Sequence, residues 1–226
     1  MPAFFAVLTG DLVGSAELGP GGVDAAMDRL SATACDASWA GLSGPFTRFR
    51  GDGWQLLLER ADRAPRLALS LQAALRASGR GPETRIGIGL GAVTQEGSRD
   101  LSDADGPAFR RAGAALDGMK RGRRLALSPE EAPSSWAAAL PLFDALAQRW
   151  TEAQAAALVP LLSPSPPMQK DVAERLAIRP QSLSDRLAAA ALDEVLESLD
   201  LLEGYRFDQA GEPDQGSSGA RAGTGT

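Results

Sequence analysis

Residues 4 to 8 read FFAVL, an unbroken apolar run that stops at Thr9-Gly10-Asp11. A run so short and so apolar predicts a strand buried on both faces, with Asp11 just past its carboxyl end. Over residues 22–40 the apolar positions change to helical spacing, with Val23, Met27, Leu30 and Ala34 on one stripe, and the Gly-Leu-Ser-Gly-Pro stretch at 41–45 ends it. Two short apolar-rich runs then flank Gly51-Asp52-Gly53, and Asp-Gly between strand-like segments predicts a hairpin. A second amphipathic helix follows over 63–77, with Leu67, Leu71, Ala74 and Leu75 on its apolar side. The segment TRIGIGLGAV alternates strictly, Ile86, Ile88 and Leu90 against Gly87, Gly89 and Gly91. A strand face lined by glycine lets a helix or a ligand come close to the backbone.

Asp105-Gly106-Pro107 is a helix start, and Phe109, Ala112, Leu116 and Met119 keep the helical period behind it. RRLALS at 123–128 reads as a short strand. The order β-α-β-β-α-β-α-β is the split βαβ plan of ferredoxin-like sheets with one unit added. The predicted fold class is therefore α+β, a ferredoxin-like sheet with helices, to which a small all-α domain is appended. Residues 1–133 form the α/β domain, 134–150 a connecting helix, 151–206 a helix-turn-helix domain and 207–226 a disordered tail nearly devoid of apolar residues. In QKDVAERLAIRPQSLSDRLAAA the helix-turn-helix pattern places Val172, Ala173 and Leu176 on the first helix and Ile178 in the turn, with Leu183 and Leu187 on the second.

Composition narrows the chemistry. Histidine is absent from the 226 residues, which excludes histidine general-base catalysis and the usual zinc sets. Cys35 is the single cysteine, so no internal disulfide forms, and its place beside an apolar stripe reads as packing. Any metal would be held by oxygen, which suits magnesium, manganese or calcium. No apolar stretch approaches the roughly 20 residues a membrane helix needs, and the first residues lack the pattern of a signal peptide, so the expected location is the cytoplasm. The net charge of −6 is uneven: residues 1–150 hold 17 basic and 17 acidic side chains, residues 151–226 hold 6 and 12.

If the first strand pairs with the hairpin, Asp11 and Asp52 meet at one edge of the sheet. Two carboxylates in close approach are relieved by sharing a proton or by binding a divalent cation. With Arg48 and Arg50 flanking the hairpin, metal and guanidinium together suit a nucleoside triphosphate. The purely conformational reading stands beside this one, since Asp-Gly favours turns and aspartate caps helices.

TGDLVGS, FRGDGWQ, TRIGIGLGAV and GPAFRRAGAAL resemble, in order, the motifs of class III nucleotidyl cyclase domains. More narrowly, residues 3 to 203 are similar to the SatD family, in which a reduced cyclase-like domain precedes a helix-turn-helix. The resemblance implies a class III cyclase-like sheet, magnesium or manganese held by Asp11 and Asp52, and a nucleotide placed by Leu12, Gly14, Arg48 and Arg50. It also implies a homodimer as the assembly. Active cyclases carry an asparagine in the helix after Gly-Pro-Ala and, four residues on, an arginine for the transition state; this chain has Arg110 and Ala114 there. Loss of such a cation costs several orders of magnitude in rate, and Arg110 or Arg111 is the candidate substitute.

Gln181, Ser182, Ser184 and Arg186 are the candidate DNA contacts on the second helix of the helix-turn-helix. Residues 151–203 nevertheless contain four basic and nine acidic residues, a balance unfavourable to phosphate. The tryptophans read as packing residues, the run Lys120, Arg121, Arg123 and Arg124 as a solvated loop, and GIGLG as part of a strand, not a dinucleotide loop. Three functions remain open: a regulator coupling a metal and nucleotide site to a DNA-binding unit, an active magnesium- or manganese-dependent cyclase, and a degenerate scaffold.

Overall fold

The structure is a computed structural model that describes residues 4–49, 51–79 and 82–207. Strands β1 (Phe5–Val13), β2 (Thr47–Phe49), β3 (Gly53–Leu58), β4 (Glu83–Gly91) and β5 (Leu125–Leu127) form one sheet in the order β2-β3-β1-β4-β5. The first four pair antiparallel, and β5 joins β4 in parallel. Helix α1 (Ser15–Asp36) leads from β1 to β2, and α2 (Ala64–Arg76) from β3 to β4, so each connection steps over one strand. That is the split βαβ arrangement expected from the element order. Helix α3 (Pro107–Asp117) is the added unit and carries the parallel crossover to β5.

Strand parity divides the side chains. Ala6, Leu8 and Leu12 of β1 face α1 and α2, while Phe5 and Val7 face α3 in a smaller cluster with Leu57 and Phe109. The glycine face of β4 is where α3 seats. A Cβ on Gly89 would stand 2.2 Å from both the Ala108 carbonyl oxygen and the Ala112 nitrogen, and one on Gly87 2.4 Å from the Ala112 oxygen. The close approach that the glycines permit is taken by a helix.

Three expectations need correction. Strand β1 continues past Leu8 to Val13, so Asp11 lies within a paired strand. Gly10, which looks like a terminator, is a contact position: a Cβ there would meet the Trp54 ring at 2.5 Å and the Arg85 oxygen at 2.4 Å. Helix α1 begins at Ser15, bends at Gly19 (φ 66°) ahead of Pro20, and gives way after Asp36 to a 3-10 turn at Ser38–Ala40. Cys35, one step round the helix from buried Ala34, is exposed.

The rest of the described chain is helical: α4 (Ser134–Ala147), α5 (Glu152–Leu158), α6 (Gln169–Arg175), α7 (Pro180–Ala189) and α8 (Leu192–Glu203). A Thr151–Gln154 capping box starts α5. Val172 and Ala173 of α6 and Leu183 and Leu187 of α7 are buried, as their spacing predicts, and Ile178 packs against the same cluster. One buried cluster runs from the sheet through α2 into α4–α8. Helix α2 is consequently covered on both sides, and Arg66, on its outer side, is 1% exposed. Its guanidinium pairs with Glu203 and with Asp200 (2.6 Å) on α8 and donates to the Leu162 carbonyl at 3.1 Å.

Phe207, counted with the tail by composition, packs: its ring stacks on Phe4 at 4.8 Å and meets Trp136 edge-on at 5.5 Å. The remainder of the expected tail, 208–226, lies outside the described residues. Among those residues no helix is long and apolar enough to cross a membrane.

Candidate functional site

Antiparallel register sets Asp11 on β1 opposite Gly53 of β3 on one side and Arg85 of β4 on the other. Asp11 and Arg85 share the sheet face that α3 covers, and the pair is bidentate: Arg85 Nε donates to Asp11 Oδ1 at 2.8 Å, and Nη2 to Oδ2. These hydrogen bonds hold the Arg85 guanidinium above its ordinary value against partial burial, and the negative charges of Asp11, Asp117 and Asp52 add to the effect. Of these three carboxylates Asp11 is the one in contact with Arg85. Sequence reasoning missed this partner, although parity marks it: Arg85 is two residues before Gly87 and so shares the face of the glycine stripe.

Asp52 sits in the turn between β2 and β3, where Gly51 takes a φ of 81° that favours glycine. Its carbonyl accepts the Leu12 amide at 3.1 Å, which draws the turn against the end of β1. Its carboxylate has no hydrogen-bond or ion-pair partner among the described residues, and it borders a groove of about 480 Å³ together with Arg48, Asp24 and Ser15. Arg48 is braced there, donating Nε to the Gly51 carbonyl at 2.9 Å and Nη1 to Asp24 at 2.7 Å. Gly14, in the left-handed conformation, heads α1 without a side-chain cap, so the first turn of the helix opens toward this groove. The side chain of Leu12 is buried in the main core. Arg50 lies outside the described residues.

Helix α3 brings no cation to the Asp11 end. Gly89 packs on Ala108 and Ala112, and Gly87 on Ala112 and Leu116, so α3 runs from the Gly91 end of β4 toward the Arg85 end. Arg110 is in its first turns, exposed and paired with Asp105 at 2.7 Å, some 10 Å along the axis from Asp117. Arg111 donates to the Leu90 carbonyl at 2.7 Å, and Ala114 is exposed.

On the C-terminal helices Gln181 and Ser184 are exposed, while Ser182 and Arg186 are half-buried. The Gln181 amide donates to Asp185 at 2.9 Å. The basic run after α3 divides: Lys120 and Arg121 are exposed, Arg123 pairs with buried Asp144, and Arg124 pairs with Glu83 at 2.7 Å. Half of the expected solvated loop is therefore tied to α4 and β4.

No protein-family model and no curated protein sequence matches the chain. Among solved structures, a guanylyl cyclase is similar at a TM-score of 0.42 and 22% identity, over 56% of this chain and 77% of the other. A bacterial light-regulated adenylyl cyclase is similar at 0.42 and 18% identity, over 56% of this chain and 43% of that one. Likeness at this level assigns no activity, and the strand order and side-chain positions stand without it.

Proposed function

We propose that the chain binds a nucleoside triphosphate, as its complex with a divalent cation, in the groove between the β2–β3 turn and the start of α1, and that it does not cyclise it efficiently. The observation that carries this reading is the asymmetry of the site. Asp52, whose carboxylate has no partner among the described residues, and Arg48 border an open groove next to Gly53, the register partner of Asp11, whereas on the face that carries the Asp11 side chain the near end of α3 offers Ala114 and Asp117 in place of a cation. Asp52 is a hard-oxygen donor of the kind magnesium and manganese take, and Asp11 would join it by giving up its bidentate pair with Arg85. No third acidic or histidine side chain joins them in a metal-holding group among the described residues, so the nucleotide phosphates and water would complete the shell. Such a cation, when bound, supplies charge neutralisation for the phosphates.

The motif order shared with the cyclases and the SatD family supports the same groove. DNA contact is left out of the reading: Gln181 spends its amide on Asp185, and residues 151–203 are acidic overall.

Titration calorimetry of the full chain with each nucleoside triphosphate, in manganese and in chelator, tests the proposal. At least one nucleotide should bind in manganese, with affinity falling at least tenfold in Asp52→Ala and in chelator, and no cyclic product should form. Absence of binding for all four nucleotides would end the reading. Product that depends on Asp52 would replace it with the cyclase.

A further inference from the structure

A second cleft, of about 520 Å³, lies between the helices that cover the sheet and those that follow residue 150. Helices α1 and α2 build one wall; α5, α6 and the turn after α5 build the other. Packed helices ordinarily interdigitate and leave few voids larger than a water molecule, yet here the short side chains of Ala32, Ala74, Ala77 and Ala156 leave the space between the walls unfilled. The volume falls within the roughly 300–1,000 Å³ common for small-molecule sites.

The polar groups of this cleft are few. The Ser70 and Thr33 hydroxyls donate back to the carbonyls of Arg66 and Arg29 in their own helices. Trp54, Trp136 and Trp150 each place their indole N–H on an acceptor within the chain, at 2.9, 3.3 and 3.2 Å. Trp39, half-buried on the cleft wall, has no acceptor for its Nε1 among the described residues. Arg29 and Arg175 reach the rim from opposite walls, and neither makes an ion pair among the described residues. Asp36 is the one acid in the lining among the described residues, so there two guanidiniums accompany one carboxylate.

We infer that this cleft binds a small amphipathic monocarboxylate. Its apolar body would lie between the alanines and the Trp39 ring, and its carboxylate would accept from Arg29 and Arg175, the donor type that best matches that head group. The rim's single uncompensated positive charge suits a monoanion. A phosphate dianion overcharges it, and an amine meets two arginines.

The full chain, titrated with decanoate and separately with decanol, decyl phosphate and decylamine, provides the test. Melting temperature and calorimetry are the readouts. At a hundredfold excess over its dissociation constant, decanoate should raise the melting temperature by about 5 °C or more, and it should bind more tightly than the other three. Ala156→Leu, at a half-exposed helical position, narrows the cleft and should weaken decanoate at least tenfold. Arg29→Gln/Arg175→Gln, both exposed, should weaken decanoate at least tenfold while leaving decanol unchanged. The inference is overturned if decanoate does not bind, if decanol or decyl phosphate equals it, or if either variant leaves its affinity intact. A shift produced by nucleotide and lost in Ala156→Leu would assign the cleft to another ligand and overturn it equally.

Discussion

Replacing Arg66 with alanine tests whether the C-terminal helices are fastened to the sheet by a buried charge or only laid against it. The Arg66 side chain is 1% exposed and that of Glu203 7%, whereas Asp200 on the same helix is 73% exposed. Breaking a buried, hydrogen-bonded ion pair by removing one partner costs about 3–5 kcal/mol, because the other charge is left without compensation. Here the lower end applies. Glu203 keeps Arg63 as a partner and Asp200 recovers water, so the loss concentrates on the Leu162 carbonyl and the space vacated by the side chain. The expected destabilisation is about 3 kcal/mol. With a urea slope of about 2 kcal/mol/M, the midpoint should fall by about 1.5 M at unchanged slope. Arg110→Ala, which removes an exposed pair, should cost less than about 1 kcal/mol and lose even that in high salt. Urea carries no charge, so both variants can be measured with and without 1 M salt, a concentration that screens charges beyond about 3 Å. A loss below about 1 kcal/mol for Arg66→Ala, or one that vanishes in salt like that of Arg110→Ala, would refute the idea of a buried clamp.

Two further outcomes follow from other parts of the fold. Gly89→Ala drives a Cβ into the backbone of α3 and should cost about 3 kcal/mol by thermal unfolding, whereas Gly113→Ala, with nothing within 4 Å, should gain up to about 1 kcal/mol from helix propensity; equal effects would refute the seating of α3 on β4. Burial pushes the Glu83 carboxyl up, but hydrogen bonds and charge from Arg124 and Arg76 outweigh it and hold the group below its ordinary value of 4.5. A depressed carboxylate contributes stability above its unfolded value and loses it as pH falls through the folded one. The stability gap between the wild type and Glu83→Gln should therefore narrow as urea unfolding is repeated below pH 4.5, and a gap that widens there would contradict the pairing.

The strand order was legible because each element carried its own period: the alternation of β4, the Asp-Gly turn after β2 and the stripe of α3 are local signals. What local signals missed was decided by covering. Helix α2 shows an apolar side at Leu67 and Leu71, but its other side is buried as well, by helices encoded a hundred residues later, and Arg66 belongs to that second interface. Gly10 was misread for a related reason. Glycine ends strands and also admits neighbours, and only the Trp54 ring across the sheet distinguishes the two.

The aspartates show the same division between type and partnership. Their residue types and spacing led to the expectation that Asp11 and Asp52 meet at one edge; the amide of Leu12 on the Asp52 carbonyl draws those segments together, while the Asp11 carboxylate turns to Arg85. The charge of the edge depends on residues that no motif spacing identified. Asp11 is already paired with Arg85, on which Asp117 and Asp52 act from farther off, and Arg48 is offset by Asp24. Among the described residues that border the groove, Asp24 and Asp52 outnumber Arg48, so a polyphosphate entering alone meets negative charge at short range, where water screens it least. On the proposed reading the Asp52 carboxylate becomes an asset once a divalent cation accompanies the nucleotide, since the cation would stand between it and the phosphates. This is why the proposed binding is tied to the cation, and why a chelator control separates it from simple attraction to Arg48.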